Sequence, residues 1–149
     1  MESSRQFCTF FLAGQFFGVP VEQVQEVIRY QNMTRVPLVP DVIRGLINLR
    51  GQIVTAIDLR RRLSLPERSS DQLPINIVVR TDDGPVSLLV DDIGDVIAVS
   101  PDSFESTPQN MPAERKELVT GVYKLEGRLF LVLNTERVLQ IGPDEPRNV

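Results

Sequence analysis

GLINLRGQIVTAIDLRRRL at residues 45–63 and GVYKLEGRLFLVLNTERVL at residues 121–139 align without a gap at an offset of 76. Gly45 meets Gly121, Leu49 meets Leu125, Gly51 meets Gly127, Arg61 meets Arg137 and Leu63 meets Leu139. Apolar residues meet apolar ones at 46/122, 47/123, 53/129, 54/130, 56/132 and 57/133. Each segment reads as a strand, a tight turn on Arg-Gly or Glu-Gly, and a second strand, because glycine supplies the positive φ that a short hairpin turn demands. Each then reaches a preferred N-cap residue, Asp58 or Asn134, whose side chain accepts from the orphan amides of a first helical turn. Short helices are expected from these caps through Leu63 and through about Gln140.

A second match lies outside the first. VPVEQVQEV at 19–27 aligns with LLVDDIGDV at 88–96 at an offset of 69, so the matched pieces occur in the same order in both halves and indicate a duplication. FCTFFL at 7–12 and Phe16 to Val19 form a hairpin about Ala13-Gly14-Gln15. Ile75 to Thr81 and Pro85 to Val90 form another about Asp82-Asp83-Gly84. Leu129 to Leu133 has the uniform apolar character of a strand buried on both faces. Asp41 to Arg44 follows Pro40 and suits a first helical turn. With 11 Pro and 9 Gly, long amphipathic helices have little room. The fold class is therefore all-β with short helices. Each half holds about five strands, enough for a small closed barrel, and closure removes exposed edges. A half of about 70 residues has a marginal core alone, so the halves should share a hydrophobic seam and unfold together. The polar stretch Leu65 to Gln72 is the expected boundary, and residues 142–149 read as a flexible tail.

Of 149 residues, 42% are apolar and 24% charged, as in a single globular domain. No apolar run nears the roughly 18 residues of a membrane span, and MESSRQ does not open a signal peptide. The cytoplasm is the expected compartment. The absence of His excludes His-dependent triads and zinc sites, and a single Cys excludes an internal disulfide. Cys8 reads as a small buried residue. Phosphate-cradling glycine loops are missing. Asp82-Asp83 falls in a turn, and Asp91-Asp92 points two ways if it lies on a strand, so neither makes a converging carboxylate pair. No catalytic residue, cofactor or metal site is expected.

A binding role fits better. Residues 1–70 carry a net charge of +3 and residues 71–149 a net charge of −7, a polarity able to steer charged partners. Arg60-Arg61-Arg62 raises nucleic acid as an alternative: a small β-barrel nucleic-acid-binding protein. Around a helix, however, these side chains point in different directions, and no stacking aromatics accompany them. Arg50, at the tip of the first repeated hairpin, and Glu26, on the strand after VEQV, are the sharper candidates for a partner contact.

Four segments together resemble the CheW-type coupling domain of bacterial chemotaxis: FGVPVEQVQEVI (17–28), RGLINLRGQIVTAIDLRRRL (44–63), VSLLVDDIGDVI (86–97) and LVTGVYKLEGRLFLVLNTERVL (118–139). The resemblance spans residues 6–141 as a single domain. It implies two pseudo-repeated five-stranded SH3-like β-barrels on a shared hydrophobic core, at about 15–70 and 71–141, with an added N-terminal strand at 6–13. It also implies a non-catalytic adaptor, without cofactors, that joins the cytoplasmic signalling tip of chemoreceptors to the regulatory domain of a CheA-type histidine kinase. Such a protein meets the membrane only through its receptors and does not bind nucleic acid. Carried over by position, the partner-binding residues are Val24, Glu26, Gly45, Arg50 and Gly51. The chain departs from the family at Thr55-Ala56, where Pro and an aliphatic residue are usual. It departs again at residues 105–110, ESTPQN, which lack the aromatic and basic character of a second kinase contact.

Overall fold

A computed structural model of the chain describes residues 5–141; the tail expected at 142–149 lies outside them. Strands β1 (Arg5–Leu12) and β2 (Gln15–Pro20) lead through a 3-10 turn, Val21–Gln23, into β3 (Val24–Ile28). A long loop precedes β4 (Ile43–Leu49), β5 (Gln52–Asp58) and helix α1 (Leu59–Arg62). The second half repeats this order with β6 (Ile75–Val79), β7 (Val86–Val90) and β8 (Asp92–Val99). A 3-10 turn, Pro101–Ser103, then precedes β9 (Phe104–Glu105), α2 (Ala113–Lys116), β10 (Val119–Leu125), β11 (Arg128–Leu133) and α3 (Thr135–Leu139). Both caps form: Asp58 accepts from the Arg60 amide at 3.0 Å and Asn134 from the Arg137 amide at 3.1 Å. Asp41 to Arg44 is not helical. Ile43 closes a turn onto the Pro40 carbonyl and already pairs with Ile57 as a strand residue.

The expectation of two closed barrels, one per half, is corrected by the sheets. The strands form one six-stranded sheet in the order β8-β1-β2-β11-β10-β9 and one five-stranded sheet in the order β3-β6-β7-β5-β4. Among the described residues neither closes on itself. The edges are occupied otherwise: Thr34 exchanges both hydrogen bonds with Leu46 along β4, and β9 lies along β10. Those groups are then unavailable for a closing ladder. The opposite edges, β3 and β8, each carry a bulge that twists them out of register. The halves are also interlaced. Hairpin β1–β2 sits between β8 and β11 of the second half, and hairpin β6–β7 sits between β3 and β5 of the first. Parallel pairings of β2 with β11 and of β5 with β7 make the joins.

Each sheet curls about a core of its own and contributes its other face to a common one. Phe7, Phe16, Tyr123 and Phe130 fill the curl of the six-stranded sheet, and Ile47, Leu49, Val54 and Val78 that of the five-stranded sheet. Phe10, Phe17, Val19, Ile57, Ile77, Leu88, Leu131 and Leu133 meet in the common core. Gly18 permits the aromatic packing, since a Cβ there would lie 2.5 Å from the Phe130 ring.

The chain crosses between the sheets at two places, and the second crossing is ionic. Asp91 alone separates β7 from β8. Its carboxylate accepts from the Ala13 amide at 2.8 Å, from Arg60 Nε at 2.9 and 3.1 Å and from Arg68 Nε at 3.0 Å. Asp91 thus converges with two guanidinium groups, not with Asp92. Arg60 is thereby held inside the molecule. Its neighbour Arg61 pairs with Asp41 and Glu67, and Arg62 donates to the carbonyls of Val138 and Arg137, both at 2.8 Å, so it caps the end of α3. All three arginines of the run are engaged within the molecule. Burial alone would raise the Asp91 pKa, but the hydrogen bonds from Arg60, the Ala13 amide and Arg68 outweigh it and hold the carboxyl below its usual range.

Two outcomes are expected. Asp91→Ala strands two buried guanidinium groups and should cost about 3–5 kcal/mol in urea unfolding. Because the folded pKa is depressed, the wild-type contribution of Asp91 is present above the unfolded carboxylate value and is lost as pH falls through the folded one; the variant should lack that dependence. Interlacing should also make unfolding one transition, with tyrosine fluorescence and far-UV circular dichroism giving the same midpoint.

Candidate partner-binding surface

Arg50 and Gly51 are the two central residues of the β4–β5 turn, at φ +54° and +90°. Two positive φ values make this the two-residue hairpin turn whose twist matches its strands. A left-handed arginine is unusual, and the local bonds explain it. Asn48 Oδ1 accepts from the Gly51 amide at 2.8 Å, and the Arg50 guanidinium binds the Glu26 carboxylate. In the matching turn of the second half only Gly127 has positive φ, and Glu126 stands where Arg50 does.

Glu26 reaches this turn although β3 and β4 are opposite edges of their sheet. The curl brings the edges together through side chains, with Ile28 packing against the cluster that holds Ile47. A bulge then aims the carboxylate. Val24 pairs with Val79 and Glu26 with Val78, so Gln25 is the extra residue. Val79 belongs to the common core and Val78 to the private one. Paired residues share a face, so Val24 turns toward the seam between the sheets and Glu26 toward the mouth of the curl. Arg80 fixes the start of β3 by donating to the carbonyls of Glu22 and Val24 at 3.0 and 2.9 Å. The hydrogen bond from Arg50 lowers the Glu26 pKa, and the Arg50 side chain remains 67% exposed.

The five residues named from sequence therefore divide. Glu26, Arg50 and Gly51 form one surface. Val24 lies on the other face of β3, half-buried against the common core. Beside it on that face is Val27, 43% exposed, which the sequence reading did not single out. Gly45 is buried five residues back along β4, about 17 Å from the turn. There a Cβ would stand 2.6 Å from the Thr34 carbonyl oxygen, so Gly45 serves the Thr34–Leu46 pairing. Asn48 and Arg80 were also missed. The spacing of Asn48 from Gly51 marks an Asx-type turn contact, whereas nothing local marks Arg80. Among the described residues no three Cys, Asp or Glu side chains gather as a metal site, and no helix is long and apolar enough to cross a membrane.

Known proteins with this architecture are consistent in kind. Residues 6–142 match the family model described as CheW-like domain. The chain is 32% identical over 139 residues to chemotaxis protein CheW of Bacillus subtilis, covering 93% of this chain and 89% of that protein. It is 30% identical over 135 residues to chemotaxis protein CheW of Klebsiella aerogenes, covering 91% and 81%. The crystal structure of scaffolding protein TtCheW from Thermoanaerobacter tengcongensis superposes with a TM-score of 0.82 at 26% identity, over 95% of this chain and 91% of that one. By sequence and by fold, the chain belongs to the CheW-like domain family of chemosensory adaptors.

Proposed function

We propose that this adaptor couples the cytoplasmic signalling tip of a chemoreceptor to the regulatory domain of a CheA-type histidine kinase, and that the Arg50–Glu26 surface makes the polar part of the receptor contact. The observation that carries the reading is the turn itself. A guanidinium is displayed at a hairpin tip, its backbone held by Asn48 and its charge aligned by Glu26. A polar group already ordered before binding loses little conformational freedom on docking. Val24 and Val27, at the edge of the seam, supply the apolar side of the same contact. Gly51 allows the turn, and Gly45 seats the loop that completes the sheet edge. The protein carries no chemistry of its own in this role and works in the cytoplasm at receptor arrays.

Pull-down with the CheA-type kinase and a receptor signalling fragment of the same organism, followed by a receptor-dependent phosphorylation assay, tests the reading. Binding with stimulation is expected; failure to bind either partner would overturn it. Arg50→Ala should weaken binding of the receptor fragment at least about tenfold. Exchanging the charges, Arg50→Glu with Glu26→Arg, keeps an ion pair and should not restore binding, because the displayed charge is reversed. Wild-type affinity in Arg50→Ala would remove the role assigned to this residue.

A further inference from the structure

The start of β3 is held by a residue that lies outside the partner contact. Arg80, directly after β6, donates from Nη1 to the carbonyls of Glu22 and Val24 at 3.0 and 2.9 Å, and its own amide donates to the Gln23 carbonyl at 2.9 Å. One residue thereby engages three consecutive carbonyls just ahead of the bulge at Gln25. Among the described residues no other side chain bonds to the backbone of residues 22–24. Thr135 meets only the Gln23 side chain, and Arg5 lies 3.8 Å from the Glu22 carboxylate with both groups exposed. An ion pair that long and that exposed contributes little. Arg80 is itself exposed and forms no ion pair among the described residues, although Asp82 and Asp83 follow it in the turn.

The repeat gives these bonds a counterpart. Phe10 pairs with Ile93 as Val79 pairs with Val24, and each edge strand then carries one extra residue before Val96 pairs with Cys8 and Val27 with Ile77. A bulge of this kind interrupts the ladder and leaves backbone groups in need of another partner. At the β8 bulge the Thr9 hydroxyl donates to the Asp95 carbonyl at 2.6 Å. In the matching register Val78 stands where Thr9 does and has no side-chain donor, while Arg80 stands where Phe11 does. Both bulges are therefore braced from an inserted hairpin, by donors at different positions. Arg80 makes no bond to Glu26 itself, so its influence on that carboxylate passes through the backbone of residues 22–25.

We infer that Arg80 is a positioning residue of the partner contact: by holding the carbonyls of Glu22 and Val24 it sets where β3 begins and turns, and so aims the Glu26 carboxylate at Arg50. A bulge without its brace relaxes toward regular pairing, and a slip of one residue moves each later side chain to the opposite face. Glu26 would then share the face of Val24 and leave Arg50 without its partner. The inference rests on the proposal that the Arg50–Glu26 surface meets a receptor. The geometry it invokes exists before any partner binds, and can be measured in the protein alone.

Carboxyl-carbon NMR of the full-length protein, following the titration of Glu26, tests it. In the wild type the hydrogen bond from Arg50 lowers this pKa. Arg80→Met keeps the aliphatic stem and removes the donors, so it should return the Glu26 pKa toward the ordinary carboxylate range, as Arg50→Ala should. An unchanged Glu26 titration in Arg80→Met would overturn the inference. Arg80→Met should also weaken binding of the receptor signalling fragment about fivefold, yet add nothing in the Glu26→Gln background, where no carboxylate is left to position. Equal losses in both backgrounds would make Arg80 a direct contact and overturn its positioning role. A lowered melting temperature with titration and binding at wild-type values would make it a staple of the fold alone, and would overturn that role as well. If the wild type does not bind the fragment, the adaptor reading falls and the Glu26 titration alone decides on Arg80.

Discussion

Hairpin β1–β2 is hydrogen-bonded on one side to β8 and on the other to β11, both from the distant half of the chain, while β6–β7 is held in the same way by β3 and β5. Neither half can complete a sheet from its own strands. The common core follows from this exchange, because each inserted hairpin places its inner face against the other sheet: Phe10 and Phe17 from one, Ile77 and Leu88 from the other. So do the two crossings, where the chain leaves one sheet for the next in a few residues. The Arg50–Glu26 surface inherits its geometry from the first of them, since β3 begins at that crossing and Arg80, on the inserted hairpin, ties its start.

Duplication has left the two ends unlike one another. The crossing at Asp91 is ionic and buried. Its counterpart before β3 is exposed and looser: Glu22, which matches Asp91 in the repeat, lies 3.8 Å from Arg5, and the Thr135 hydroxyl donates to Gln23 Oε1. The mouths of the curls differ in the same sense. Where one sheet has Arg50 bound to Glu26, the matching positions of the other are Glu126 and Asp95, and the nearby Arg128 guanidinium lies 3.9 Å over the Phe16 ring. Cation–π stacking there replaces the ion pair. One private core is aromatic and the other aliphatic. A shared backbone plan has thus been given two chemically distinct faces.

What could be read from the residues was local. The hairpins about Ala13-Gly14 and Arg50-Gly51 and the caps at Asp58 and Asn134 depend on a few neighbours, and the repeat was visible because it preserved those positions. Closure was not legible. Alternation of apolar residues says which face of a strand is inside, not which strand lies beside it; the join of β2 with β11 spans most of the chain, and that of β5 with β7 bridges the two halves. The candidate site shows the same divide. Val24 and Glu26, two apart, would share a face on a regular strand; the extra residue Gln25 separates them. The acceptors of Arg60 and Arg62, Asp91 and the end of α3, are remote in sequence, so the arginine run by itself named no partner. Gly45 stood out in the repeat, but the close approach of the Thr34 carbonyl to it was not visible there.

The interlaced hairpins also bear on how such a chain can be reused in evolution. Cutting at the polar connector and joining one half to foreign sequence would leave a sheet lacking its two central strands, with another hairpin bereft of neighbours. Fusion and recombination are therefore confined to the ends of the whole repeat pair. The unit that can be appended to a larger protein is the full two-sheet body, carrying both of its dissimilar faces along together.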